Sequence, residues 1–419
     1  MHRIRNYEAL ASTPVRRDAL DIIEAGLIAI DTAMTVRNHV RLDGNNLTTG
    51  THSYDLSRYR NVHVFGFGKA SCQASAVMEQ ILGTRIHAGI SIGTGTNTCR
   101  TIKVCEASHP LPSSENVRLS GEIVAQCGTL SAEDLVLIIV SGGGSAMLCW
   151  PSSECDQGTR LYEASIRRGL TIRELNVVRK HISSLKGGGL AKLLHPATVV
   201  GLIFSDVPGN MPDMVASGPT YPDSSTVADA QAIINKYELG SFELLETPKD
   251  ASLFKNVTNI VLVSNETALR AMAKTAQSLG YDTDIIASDM YDEPSSLVAR
   301  FTAVARPHSV MLGGGESRLV VPAIAGHGGR NQHVALTAAI VLRAGQLFAS
   351  IASDGSDNNE SAGAIVDNAT VRLATESGFD ANNSLRNFDE HAILEKVGAL
   401  VFTGPTGANV SDVMFLLTL

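Results

Sequence analysis

The sequence predicts an α/β protein with a largely parallel sheet, divided between two domains. Short β-branched runs alternate with longer amphipathic stretches, which is the pattern of repeated βαβ units. At 419 residues the chain exceeds what one core organises, since domains average roughly 100–200 residues. With 44% hydrophobic residues, either domain can bury a full core without disulfides or a structural metal, and disorder is excluded.

The strands are expected, in chain order, at Val62–Phe67, Ala88–Ile92, Asp134–Val140, Thr198–Ser205, Asn259–Ser264, Thr283–Ala287, Ser309–Leu312 and Gln346–Ser353. Amphipathic helices are expected at Ala70–Leu82, Thr171–Leu185, Glu266–Leu279 and Asn331–Arg343. A fresh βαβαβ series opens at Asn259. The boundary is therefore placed within Tyr237–Asp250, giving domains of residues 1–242 and 243–419. The stretch Ser205–Ser225 carries Pro208, Pro212, Pro219 and Pro222 and reads as a long loop; loops of that length inside a compact domain are usually functional.

Composition excludes several functions. The formal charge is −8 and no basic run appears, so the counterion-displacing face of a nucleic-acid binder is missing. No apolar run approaches the roughly 20 residues of a membrane span, and the N-terminus lacks the apolar core of a secretory signal. A cytoplasmic protein is expected. Six cysteines, all within the first 155 residues, form no CxxC pair and read as reduced thiols. The twelve histidines show no HExxH spacing, so zinc has no support.

Chemistry in such folds collects at the carboxyl ends of strands. At the first turn, Gly66-Phe67-Gly68-Lys69-Ala70-Ser71 resembles a dinucleotide fingerprint but lacks the acidic residue about twenty positions on. Lys69 at a helix N-terminus opposes the helix dipole unless an anion shares the site. The second turn, Ser141-Gly142-Gly143-Gly144-Ser145, offers backbone freedom for a nest of amides, with Ser145 as a cap. In the third region Asn176 and Lys180 share a helix face, Arg179 lies on an adjacent one, and Lys186 precedes a second glycine triplet at 187–189. Asp206 follows at a strand end, where a carboxylate suits Mg²⁺ or a substrate hydroxyl.

The C-terminal half adds Gly313-Gly314-Gly315-Glu316, then Gly328-Gly329-Arg330 before a helix, then Asp354 and Asp357 after a strand, and finally Asn409 near the chain end. Arginine beside glycines suits bidentate contact with phosphate or carboxylate. A lysine, an arginine, glycine-rich nests and strand-end carboxylates together are the inventory of phosphoryl transfer.

The strings FGFGKAS, SGGGSA, LNVVRKHISSLKGGGLA, SDVPGN, ASGPTYPD, GGGES, GHGGRNQ, SDGSDNNESAGAIVD and TGPTGANVSD, spread over nearly the whole chain, resemble the glycerate 2-kinases of the MOFRL type. The resemblance implies two α/β domains, the first Rossmann-like with a mainly parallel sheet, the second with a mixed sheet, and an active site in the cleft between them. It also implies phosphorylation of D-glycerate at its 2-hydroxyl, with ATP and Mg²⁺ as cofactors, to give 2-phosphoglycerate. Lys69 and Arg330 would then be catalytic. Asp206 and Asp354 would hold Mg²⁺ or take the hydroxyl proton. Gly66, Gly68, Ser141 to Ser145, Asn176, Lys180, Lys186, Gly313, Gly314, Glu316 and Asn409 would line the nucleotide and substrate. The expected partner is a small 2-hydroxy acid, bound by a monomer or homodimer. Two alternatives are an NADH-dependent hydroxypyruvate reductase and a sugar-phosphate-binding regulatory module.

Overall fold

A computed structural model describes residues 2–95, 97–209, 211–322 and 324–419. The chain forms two compact units, Thr32–Ser205 with Met211–Leu262, and Met1–Asp31 with Asp206–Asn210 and Val263–Leu419.

The first unit is built on a six-stranded sheet. Its strands are β1 (Asn61–Phe67), β2 (Ile86–Gly93), β3 (Ile102–Glu106), β4 (Asp134–Ser141), β5 (Thr198–Phe204) and β6 (Val257–Val263), in the spatial order β3-β2-β1-β4-β5-β6. The pairs from β3 through β5 are parallel. Every residue of β4 is buried, which explains its uninterrupted apolar run: a central parallel strand is covered on both faces. A small antiparallel sheet (Val40–Asp43, Asn46–Thr49, His52–Asp55) is appended to this unit.

The second unit has a mixed sheet of β7 (Asp282–Met290), β8 (Ser309–Gly315), β9 (Gln346–Ala352), β10 (Gly363–Asp367), β11 (Leu400–Val401) and β12 (Asp412–Thr418), in the order β7-β8-β12-β9-β10-β11. Only β7 and β8 pair in parallel; the other pairs are antiparallel. The final strand is thus central, buried along Asp412–Leu417. Phe301, Phe348, Met414 and Leu416 pack with Val334, Ala335 and Ala338 in its core.

The partition departs from a division at 242/243 in three places: residues 1–31 and 206–210 join the mixed-sheet unit, and the parallel-sheet unit continues to Leu262, because the strand opening at Val257 adds to the first sheet. The helix Pro14–Ala29, capped by the Thr13 side chain, belongs to the mixed-sheet unit. Its Gly26 lies against Met272. Tyr281 donates to Asp18 at 2.7 Å, and Arg16 pairs with Asp367 at 2.7 Å. All six cysteines are free thiols. Among the described residues no helix is long and apolar enough to cross a membrane.

Candidate functional site

In the parallel-sheet unit, the turns after β1 and β4 are stitched together by their own backbone. The Lys69 amide donates to the Gly142 carbonyl at 2.8 Å and the Ala70 amide to Ser141 Oγ at 3.1 Å. Gly68 has φ +114, and any side chain there would collide with Ser141. Gly66 faces Ser91, Ser71 and Ser75 inside the fold, so it is a packing glycine. Gly143, at φ +81, is different: a Cβ there would fill space 2.9 Å from His109 Cδ2 and 3.3 Å from Lys69 Cγ. The turn therefore presents bare backbone between a lysine and a histidine.

The loop after β5 completes this corner. Ser145 Oγ lies 2.9 Å from Ser217 Oγ, and Ser217 donates to Asn176 Oδ1 at 2.8 Å. Ala216 and Ser217 both hold positive φ, 49° and 62°, a costly conformation for residues with a Cβ, and such strain concentrates at functional sites. Asn176 stands on the helix Ile172–His181, and Arg179 follows three residues later on a neighbouring face. Burial lowers Arg179 to about 10. Burial of the His109 ring, together with the charges of Lys69 and Arg179, pushes that imidazole down to about 4. Two cations beside a histidine kept neutral by burial and by their charges make a corner suited to an anion.

In the mixed-sheet unit, Arg330 opens the helix Arg330–Val341. Its Nε donates to Asp412 Oδ2 at 2.9 Å and its Nη1 to Glu316 Oε2 at 3.1 Å. Asp412 starts β12 directly opposite Gly315 at the end of β8. It is 3% exposed; burial, helped by Glu316 and opposed by Arg330, raises its carboxyl to about 7. Burial also works against the Arg330 charge, but Asp412 and Glu316 more than offset it and hold the guanidinium protonated.

The start of that helix is fixed by Asp357. Its two carboxylate oxygens accept the amides of Asn331 and Gln332, each at 2.9 Å, and both side-chain amides as well. Nearby, Ser411 Oγ donates to the Asp206 carbonyl at 2.9 Å, and Asn409 Oδ1 accepts the Ser411 amide at 3.2 Å. Asp354 accepts the Ser356 amide through Oδ1 at 3.1 Å and the Thr406 amide through its carbonyl at 3.1 Å. Asp206, Glu316, Arg330, Asn409 and Asp412 thus gather around the β8 and β12 ends.

Residues 18–247 match the family described as a domain of unknown function, DUF4147, and residues 309–412 match the MOFRL family. The glycerate 2-kinase of Pyrococcus horikoshii is 31% identical over 96% of this chain and 97% of its own length. The D-glycerate 2-kinase of Thermotoga maritima is 34% identical over 83% of this chain and 88% of its own. The chain belongs to the MOFRL-type glycerate kinase family. A crystal structure of glycerate kinase from Thermotoga maritima superposes with a TM-score of 0.84 at 29% identity, covering 97% of this chain and all of that one. The family is one of phosphotransferase enzymes.

Within this kinase framework, four of the expected ligand residues have partners inside the protein. Lys180 donates to Asp223 at 3.1 Å in the interior. Lys186, 1% exposed, donates to the Leu148 carbonyl at 2.7 Å and pairs with Glu154. Gly313 and Gly314 lie within β8, paired on both sides by β7 and β12, and are not in a turn after it. The amides of a central strand are engaged by its ladders. Conversely, His109, Arg179, Ser217 and Asp412 join the two sites although none was singled out as a site residue. Arg179 had a legible signal, three residues beyond Asn176 on the same helix. Asp412 closes the TGPTGANVSD string; His109 had no signal, because loop folding brings it in.

Proposed function

We propose that the protein phosphorylates D-glycerate on its 2-hydroxyl, drawing the phosphoryl group from ATP as its magnesium complex and releasing 2-phosphoglycerate and ADP. The observation that carries this reading is the anion-suited corner of Lys69, His109 and Arg179 around the bare backbone of Gly143. Family membership supports the substrate. Lys69 and Arg330 are the catalytic cations in this reading, offsetting charge on the transferring group. The glycerate hydroxyl oxygen forms the new bond to phosphorus, the bond from phosphorus to the ADP oxygen breaks, and the hydroxyl proton passes to a strand-end carboxylate. Asp206 and Asp354 are the candidates for that proton and for Mg²⁺.

Among the described residues no cluster of three His, Cys, Asp or Glu side chains could hold a metal by itself. Separate carboxylates fit Mg²⁺, which usually takes one or two of them and completes its shell with water and substrate phosphates. Bound there, the ion would neutralise phosphate charge. We also place the enzyme in the cytoplasm, as a monomer or homodimer acting on a small acid.

Incubation with D-glycerate and Mg-ATP, followed by 31P NMR of the product, tests the reading. ADP release with a 2-phosphoglycerate signal is expected. NADH oxidation with hydroxypyruvate and no ADP release would favour the reductase, and sugar-phosphate binding without ATP turnover would favour a regulatory module.

A further inference from the structure

A cavity of about 510 Å³ opens in the mixed-sheet unit, and Arg330 and Glu316 are only two of the residues that line it. Two features of the rest of its lining are unexplained by the protein's own packing. Ser317, next to Glu316, is 4% exposed, yet its Oγ has no hydrogen-bond partner. Leaving a buried hydroxyl unpaired is costly, and such a group in a native fold calls for an account. Part of the lining is apolar and open: Tyr291 is 64% exposed and Val321 53%, and Leu319 and Phe388 line the same cavity. Phe388 sits at φ +54, with its ring stacked on His333 at 5.3 Å between centroids, so it is a fixed wall.

The lining therefore combines aromatic and aliphatic side chains, one unsatisfied hydroxyl and a guanidinium anchored by two carboxylates. A three-carbon acid would fill a small part of this space. Its volume lies in the usual range for a drug-sized ligand, roughly 300–1,000 Å³. A nucleoside matches each feature in turn: a planar base for the aromatic and aliphatic wall, ring or ribose polar atoms for Ser317, and a phosphate tail extending toward Arg330.

We propose that this cavity is the seat of the base and ribose of the nucleoside triphosphate, with Tyr291, Val321 and Phe388 holding the base and Ser317 donating to the nucleoside. The proposal rests on the kinase reading for the identity of the donor, but not for its own test. Binding of ATP to the full-length protein is measured by equilibrium fluorescence with mant-ATP displaced by ATP, and KM values for ATP and D-glycerate are determined in parallel. Ser317→Ala is expected to weaken ATP binding about five-fold, the loss of one hydrogen bond. It should leave the glycerate KM unchanged and the ligand-free melting temperature unchanged or higher, since the hydroxyl has no partner to lose. Val321→Asp, on an exposed rim where folding tolerates charge, is expected to weaken ATP at least ten-fold while inorganic tripolyphosphate still binds.

ATP affinity within two-fold of wild type in both variants would overturn the assignment, and the kinase reading would stand if glycerate were still phosphorylated. Weakened ATP binding in both variants, without glycerate phosphorylation by the wild type, would uphold the nucleoside seat and overturn the kinase reading. No ATP binding by the wild type would overturn both.

Discussion

Replacing Lys186 by methionine separates a structural lysine from a ligand-binding one. Its Nζ reaches the Leu148 carbonyl at 2.7 Å and the Glu154 carboxylate, and Lys186 and Glu154 are both buried. Glu154 also accepts the Trp150 amide at 2.8 Å. Methionine keeps the length of the side chain but strands Glu154 as a buried carboxylate without its cation, left with the Trp150 amide and the Ser183 side chain as donors. Removing one partner of a buried ion pair costs about 3–5 kcal/mol. For a unit of this size each kcal/mol lowers the melting midpoint by about 2–4 °C, so a fall of roughly 6–20 °C is expected. The protein has a single tryptophan, Trp150, so its fluorescence reports on the parallel-sheet unit around this pair. Adding Glu154→Gln removes the stranded charge and should restore most of the loss. A Lys186→Met protein that melts within about 1 °C of wild type but binds ATP poorly would refute this reasoning and return Lys186 to the ligand site.

Three further outcomes are expected. Arg330→Lys keeps the positive charge but loses the fork that engages Asp412 and Glu316 together, so turnover should fall on the order of 10³-fold with the fold intact by circular dichroism; near-normal kcat would contradict a catalytic role. Asp357→Ala removes the acceptor of both first-turn amides of the Arg330 helix and should cost at least about 2 kcal/mol in urea denaturation; an unchanged midpoint would show that the cap is redundant. His109 titrates near 6.5 when unfolded and is pushed to about 4 in the fold by burial, Lys69 and Arg179. The unfolded chain therefore binds the extra proton between these values. The His109 contribution to stability is complete above about pH 6.5 and is lost as pH falls toward 4, with its amplitude reduced by solvent, because the residue as a whole is exposed although its ring packs against Gly143. His109→Gln should flatten that limb of a denaturation series, and an unaltered limb would argue against the cationic corner.

The βαβ alternation, the buried β1 and β4 runs and the turn carrying Lys69 were legible because they follow from local periodicity and from the backbone freedom of glycine. The central position of β12 was not. Its apolar run Val413–Leu417 is an ordinary strand signal, but nothing local says that the last segment of a chain inserts between β8 and β9. The attachment of the N-terminal helix to the mixed-sheet unit was equally hidden, because it depends on contacts such as Tyr281 with Asp18, far apart in sequence.

The glycine triplets mark the same limit. All three grant the backbone room, and the sequence alone states that much. At Gly143 it is taken by the side chains of His109 and Lys69; at 187–189 by Ser184, Phe254 and Thr247; at 313–315 by Met290, Phe301 and Asn265. The lysines behave alike: Lys69 belongs to the anion-suited corner, while Lys180 and Lys186 neutralise buried carboxylates. Residue type sets what conformations and charges are available, and so it reveals the fold class and the chemistry. Which partner meets each group, ligand or the protein itself, is settled by long-range packing, because burial and pairing energies depend on neighbours that local sequence does not specify.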